Sequence, residues 1–174
     1  MIFEKDHLYH IYNQGNNRQP IFFERDNYLF FLEKVKNHIL PYADILAWCF
    51  MPNHFHLMVC VNEEELPVRQ DDNQDTTNIA TLHSHALTPP SKTRSFQQSI
   101  GLMLASYTRA INNRNNRSGS LFRQKTKSIC LSCGKNNARA WFDSQGITVI
   151  NIQHSELQYP NICFNYINFN PVKD

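Results

Sequence analysis

The sequence predicts an α+β protein, a ferredoxin-like βαββαβ sandwich with an antiparallel sheet and its helices on one face. Long stretches with apolar residues every three or four positions indicate helices, and shorter alternating or β-branched stretches indicate strands. They follow one another as strand, helix, strand, strand, helix, strand, which is the order of that fold. The segments are residues 7–14, 25–40, 42–51, 54–61, 96–117 and 121–131.

Each helix is predicted from one apolar stripe and from the signals at its ends. Asp26 is a candidate N-cap of the first helix and Pro41 follows its end, while Gly119 ends the second. The first stripe consists of Tyr28, Phe31, Leu32, Val35 and Ile39. The second stripe consists of Phe96, Ile100, Met103, Leu104, Tyr107 and Ile111.

The 174 residues are predicted to form a single domain, 1–174, with two less regular parts. Residues 63–95 are polar and rich in Ser, Thr and Pro, which predicts a long and partly flexible loop. Residues 133–174 form a C-terminal appendage, irregular at first and then helical, with the helix broken at Pro160.

Charge is distributed unevenly, although the formal net charge is only +2. No Asp or Glu occurs from Thr76 to Phe142, and that stretch holds ten Lys or Arg residues. A long block of one sign indicates a polyanionic partner such as nucleic acid. The alternative is a solvated face whose acidic partners come from elsewhere in the chain.

The sequence also predicts a cytoplasmic protein with no membrane segment. No apolar run approaches the roughly 18 residues needed to span a bilayer. The first ten residues, MIFEKDHLYH, lack the basic and then apolar pattern of a signal peptide.

The stretch MPNHFHLMV, residues 51–59, places two histidines in an apolar strand. Because side chains alternate along a strand, His54 and His56 share one face. Two imidazoles on one face can bind one divalent metal ion, and the alternative is a pair of hydrogen-bonded core histidines. A second pair, His83 and His85, lies in the polar loop, where nothing would fix the rings, and it is not expected to form a site.

Four blocks of the chain resemble the single-tyrosine HUH transposases, and among them the group associated with repetitive extragenic palindromes (REP). The blocks are YHIYNQGNNRQPIFF, AWCFMPNHFHLMV, SYTRAINNRNNRSGSLF and YINFNPV, in the family's order. The HUH motif, two histidines around a hydrophobic residue, is His54-Phe55-His56 here. The resemblance implies one transposase-like domain in which these histidines bind metal and Tyr107 is the nucleophile. A helix tyrosine of this kind otherwise packs in the core.

The resemblance implies a metal-dependent enzyme that nicks and rejoins single-stranded or hairpin DNA. The tyrosine attacks a phosphodiester and leaves a 5′-phosphotyrosine and a free 3′-hydroxyl, while Mg²⁺ or Mn²⁺ stabilises the charge on the phosphate. The basic residues are then expected to bind the DNA backbone. These are Arg109, Arg114, Arg117, Arg123, Lys125 and Lys127.

The third metal ligand is where this sequence departs from the family. Family members often carry an amide or acid one turn after the nucleophile, and counted from Tyr107 that position is Ile111, which cannot bind a metal. Asn112 is the neighbouring candidate ligand. Members also usually continue further past the block that contains Pro171.

Two other functions remain open on the sequence alone. A DNA-hairpin-binding protein without catalysis would account for the missing amide at Ile111. A ferredoxin-like RNA-binding module is less consistent, because the aromatic residues do not follow the RNP pattern. The recognised DNA sequence, the activity of this copy and the choice between monomer and homodimer are not determined by the sequence.

Overall fold

The computed structural model describes residues 2–68, 92–132 and 155–169, with side chains from residue 160 onward in the last range. Its strands and helices follow the predicted order. The strands are β1 Leu8–Gln14, β2 Ala43–Met51, β3 His54–Val61, β4 Glu65–Pro67, β5 Thr93–Ser95 and β6 Lys127–Cys130. The helices are α1 Arg25–His38, α2 Phe96–Arg114 and α3 Ser155–Phe169.

The main sheet has the strand order β2-β3-β1-β6, and every neighbouring pair is antiparallel. β1 therefore lies in the middle, with β3 on one side and β6 on the other. This is the arrangement that two interlocked β-α-β units give, and it confirms the predicted ferredoxin-like fold class.

One face of the sheet is covered by α1 and α2, as predicted. All six residues of the predicted α2 stripe are buried there against apolar side chains from the strands. α1 begins at Arg25, so the expected N-cap Asp26 lies in its first turn. Asn27 binds the preceding loop instead, since its Oδ1 accepts a hydrogen bond from Phe23 N at 2.9 Å. Ser95 and Gln98 form a reciprocal capping box that begins α2.

The opposite face of the sheet is covered by α3, a placement that the sequence did not predict. Cys163 and Ile167 of α3 are buried against Ala47, Cys49 and Met58 of the sheet. The helix also runs through Pro160, where a break was expected. Pro160 removes one backbone hydrogen bond, but packing of the following two turns on the sheet stabilises the helix beyond it.

The ends of the predicted 63–95 loop are ordered, because β4 and β5 pair as a short antiparallel ribbon that leads into α2. Residues 69–91, with His83 and His85, and residues 133–154 lie outside the described ranges. The domain boundaries therefore stay predictions. In the ranges that are described, no helix combines the length and the apolar character needed to cross a membrane.

Candidate active site

A cleft of about 220 Å³ opens on the α3 side of the sheet and contains the two histidines of the HUH motif. Its lining residues belong to β1, β3, α3 and the segment that leads into β6. Its polar and aromatic lining comes from four separate parts of the chain. The lining residues are Tyr12, Asn13, Gln14, His54, His56, Arg123, Lys125, Lys127 and Tyr166.

His54 begins β3, directly after the turn that joins it to β2. Its Nδ1 lies 2.6 Å from the Oδ1 of Asn53 in that turn. Because an amide oxygen can only accept, His54 Nδ1 carries a proton, and in the neutral ring Nε2 then carries the lone pair. The turn is fixed in place by Gly15, whose backbone N donates to the carbonyl of Asn53 at 2.7 Å. A Cβ at Gly15 would overlap the carbonyl oxygen of Gln19.

His56 is buried deeper in the same cleft and is hydrogen-bonded to a third histidine, His10 of β1. His56 Nδ1 lies 2.8 Å from His10 Nε2, and the two residues are 6% and 0% exposed. Burial lowers the pKa of His10 to about 4 and that of His56 to about 3, so both rings are neutral at pH 7. His56 Nε2 has no hydrogen-bond partner among the described residues.

These ring nitrogens fit a divalent metal ion. A buried Nε2 without a hydrogen-bond partner, on the same strand face as His54, is what a pair of imidazole ligands requires. The described part of the chain holds no group of three His, Cys, Asp or Glu side chains that could bind a metal. The described residues can therefore add only ligands such as the side-chain amide of Gln14. Water and phosphate oxygens would complete the coordination, and all of these oxygen ligands suit Mg²⁺ or Mn²⁺.

Tyr107 lies in the other layer of the molecule, between α2 and the face of the sheet that points away from the cleft. Its side chain is fully buried, and its hydroxyl donates to the carbonyl of Ile21 at 2.8 Å. Burial raises its pKa, so it stays a protonated core side chain. The structure thus corrects the expectation that this hydroxyl reaches a metal held by His54 and His56, because the sheet lies between them.

Two tyrosines lie beside the histidines, Tyr12 of β1 and Tyr166 of α3, and Tyr166 is the one on a helix. Its ring meets that of His56 edge to face, with the ring centroids 5.3 Å apart, and it lines the cleft. Burial, and then the nearby Cys49, Cys163 and Tyr12, raise the pKa of its hydroxyl. The sequence did carry a signal for it, because Tyr166 begins the block YINFNPV that resembles the transposase family.

Three of the six predicted DNA-binding residues, Arg123, Lys125 and Lys127, line the cleft. Asn13 holds their segment in place from β1. Its Nδ2 donates to the carbonyl of Arg123 at 3.1 Å and to Thr126 Oγ1 at 2.9 Å. None of the described residues that line the cleft is acidic, so its positive charges face a site suited to phosphate.

The other predicted site residues are not brought to this cleft. Arg109, Arg117 and Asn112 line another groove of about 590 Å³ beside α2, which shares only Asn13 and Arg123 with the cleft. Asn112 Nδ2 donates to the carbonyl of Gly119 at 2.8 Å, which fastens the turn after α2, so the candidate third ligand lies away from the histidines. Arg114 forms an ion pair with Glu24, with 2.8 Å between Nη2 and Oε1.

Comparison with known proteins supports the fold. No protein family matches the sequence, and no curated protein matches it. A solved structure of the REP-associated tyrosine transposase bound to a REP hairpin is similar, with a TM-score of 0.51 and 15% sequence identity. The match covers 99% of this chain and 71% of that chain. The antiparallel sheet and the helices described for this protein therefore share the fold of that transposase.

Proposed function

We propose that this protein is a metal-dependent transposase or endonuclease that nicks and rejoins single-stranded or hairpin DNA, with Tyr166 as its nucleophile. One observation carries the proposal: Tyr166 lines a single cleft together with two histidines, three cationic side chains and a second tyrosine, Tyr12. The fold is also that of a transposase whose structure was solved with a REP hairpin bound. A nucleophile, a metal pair and phosphate-binding cations are the parts that phosphodiester transfer requires.

The reaction follows from the side chains of the cleft. Tyr166 Oη forms a bond to the scissile phosphorus and loses its proton, while the bond from phosphorus to the 3′ oxygen breaks and that oxygen gains a proton. The products are a 5′-phosphotyrosine and a 3′-hydroxyl, and the reverse reaction rejoins the strand. Arg123, Lys125 and Lys127 bind the phosphate oxygens on either side of the break.

His54 and His56 would hold a divalent metal ion through their Nε2 atoms. Mg²⁺ or Mn²⁺, when bound, neutralises charge that develops on the phosphate and lowers the pKa of a coordinated hydroxyl. Tyr166 needs such help, because burial raises the pKa of its hydroxyl above the ordinary value.

With Tyr166 as the nucleophile, the chain also offers an amide as the third metal ligand. The resemblance implies an amide or acid one helical turn after the nucleophile. Counted from Tyr107 that position is Ile111, but counted from Tyr166 it is Asn170. Asn170 lies just outside the described residues, and we propose it in place of Asn112 from this spacing alone.

The decisive experiment measures covalent adduct formation with labelled single-stranded DNA that contains a palindromic hairpin, in the presence of Mn²⁺. We expect wild type and Tyr107→Phe to form an adduct that survives a denaturing gel, and Tyr166→Phe to form none. His56→Ala should lose the adduct and keep most of its hairpin affinity, because phosphate contacts dominate binding.

One result would count against the function and another against the choice of nucleophile. Hairpin binding by the wild type without any adduct would favour the alternative, a hairpin-binding protein without catalysis. An adduct that persists in Tyr166→Phe and disappears in a folded Tyr107→Phe protein would restore the original assignment of the nucleophile.

A further inference from the structure

His10 is a buried polar residue to which the proposed reaction gives no direct role. It lies on β1, on the sheet face that carries His56, and its neighbour on that face, Tyr12, is paired in register with His56. The rings of His10 and His56 are stacked at 24° with their centroids 5.1 Å apart. His10 Nε2 and His56 Nδ1 are 2.8 Å apart, so one of the two rings donates a hydrogen bond to the other.

The direction of that hydrogen bond decides whether His56 can bind a metal. A neutral imidazole has one protonated nitrogen and one lone pair. If His10 donates, His56 accepts at Nδ1 and its own proton sits on Nε2, which blocks coordination. If His56 donates from Nδ1, its Nε2 carries the lone pair.

We infer that His10 is a positioning residue that accepts the Nδ1 proton of His56 and so holds the Nε2 lone pair of His56 available to a divalent metal ion. This rests on the metal site of the proposed function. His10 does for His56 what Asn53 does for His54, whose Nδ1 lies 2.6 Å from the Asn53 amide oxygen. Stacking of Tyr12 on both His10 and His56 fixes the ring planes in addition.

The tautomer can be read directly in the wild-type protein without metal. Long-range ¹H–¹⁵N spectra of ¹⁵N-histidine-labelled protein at pH 7.5 should show His56 protonated at Nδ1. The signal of His54 in the same spectrum is the internal reference, because Asn53 requires the same tautomer there. Protonation of His56 at Nε2 would overturn the inference, whatever the variants do.

The second measurement is Mn²⁺ affinity, followed by electron paramagnetic resonance without DNA. His10→Phe keeps a ring of similar size but no acceptor, and we expect it to weaken Mn²⁺ binding about 10- to 100-fold, as loss of an outer-shell partner does. His10→Gln replaces Nε2 with an amide oxygen and should recover most of the affinity. His7→Phe, at a partly exposed position just before β1, is the matched control and should bind like wild type.

The outcomes separate this inference from the proposed function. Wild-type affinity in a folded His10→Phe protein, while His56→Ala loses Mn²⁺ binding, would overturn the role of His10 and leave the metal site intact. Failure of His10→Gln to recover any affinity would overturn the acceptor role and leave His10 as a packing residue. Absence of Mn²⁺ binding by the wild type would overturn both.

Discussion

At the scale of the residue, two tyrosines of this chain differ in what their hydroxyls can reach. The Tyr107 hydroxyl is satisfied inside the core by the carbonyl of Ile21, whereas Tyr166 lies against a metal-ligand candidate at the wall of an open cleft. A buried phenol that donates to a backbone carbonyl is a structural group, whereas a phenol whose ring contacts His56 in the cleft has the position that the proposed reaction requires. The role of each tyrosine thus follows from its surroundings.

Tyr107→Phe should therefore act on stability and leave the reaction intact. The substitution removes the hydroxyl and leaves the buried carbonyl of Ile21 without this donor, so we expect the free energy of unfolding to fall by about 1–3 kcal/mol. Urea denaturation followed by circular dichroism measures it. Unchanged stability together with loss of the covalent adduct would contradict the structural role.

At the scale of the element, the basic segment before β6 is held rigidly enough to present its charges. Asn13 fixes Arg123 and Thr126 through side-chain hydrogen bonds, and β6 pairs with β1 directly afterwards. These contacts hold the segment alongside β1, the strand that carries His10 and Tyr12. Arg123, Lys125 and Lys127 of the segment line the cleft. By contrast, Arg114 at the end of α2 forms an ion pair with Glu24, the residue that precedes α1.

Removal of cleft charges should weaken hairpin binding in a salt-dependent way. Lys125→Gln and Lys127→Gln should each reduce the slope of log affinity against log salt by about 1, because each removes one phosphate contact. Arg114→Gln is the matched control and should leave the slope near the wild-type value. Fluorescence anisotropy with a labelled hairpin at several salt concentrations measures this, and equal effects of all three variants would contradict the assignment of the cleft.

The other decisive element is α3, which brings Tyr166 to the histidines by packing Cys163 and Ile167 on the sheet.

Ile167→Ala should lower the free energy of unfolding by about 2–5 kcal/mol. It should also lower adduct formation more than hairpin affinity, since Tyr166 is the preceding residue. Asn168→Ala changes an exposed position on the same helix and serves as the control. Full adduct formation by a folded Ile167→Ala protein would show that docking of α3 is not required.

At the scale of the whole molecule, the two faces of the sheet differ in what they carry. One face carries the larger apolar cluster, and the other carries a smaller apolar cluster together with the cleft. The face under α1 and α2 holds the larger apolar cluster, including Phe31, Phe55 and Tyr107. The face under α3 holds His10, His56 and the cleft. The described residues that line the cleft come from β1, β3, α3 and the segment that leads into β6, and we expect one copy of the chain to supply them all.

One consequence is that two inactive variants should not complement each other. A mixture of His56→Ala and Tyr166→Phe should form no covalent adduct, because each copy combines its own α3 with its own sheet. Adduct formation in the mixture, with neither protein active alone, would mean that α3 is exchanged between the two copies of a homodimer. The same denaturing-gel assay decides between these outcomes.

Local sequence patterns predicted a large part of the fold. Alternation placed His54 and His56 on one face, and helical spacing identified the buried stripe of α2, because these periods follow from backbone geometry alone. The same periodicity placed Tyr107 within that stripe. It could not show that the stripe faces the side of the sheet opposite to the histidines.

The sequence by itself therefore determined the order of the elements, the shared face of His54 and His56 and the basic character of the segment that follows α2. Only the tertiary structure decided that α3 packs across the sheet from α1 and α2, that Tyr166 meets His56, and that His10 contacts the same ring. These are contacts between residues far apart in the chain. They depend on which face of the sheet each helix covers, and the periodicity of an isolated segment does not encode that choice.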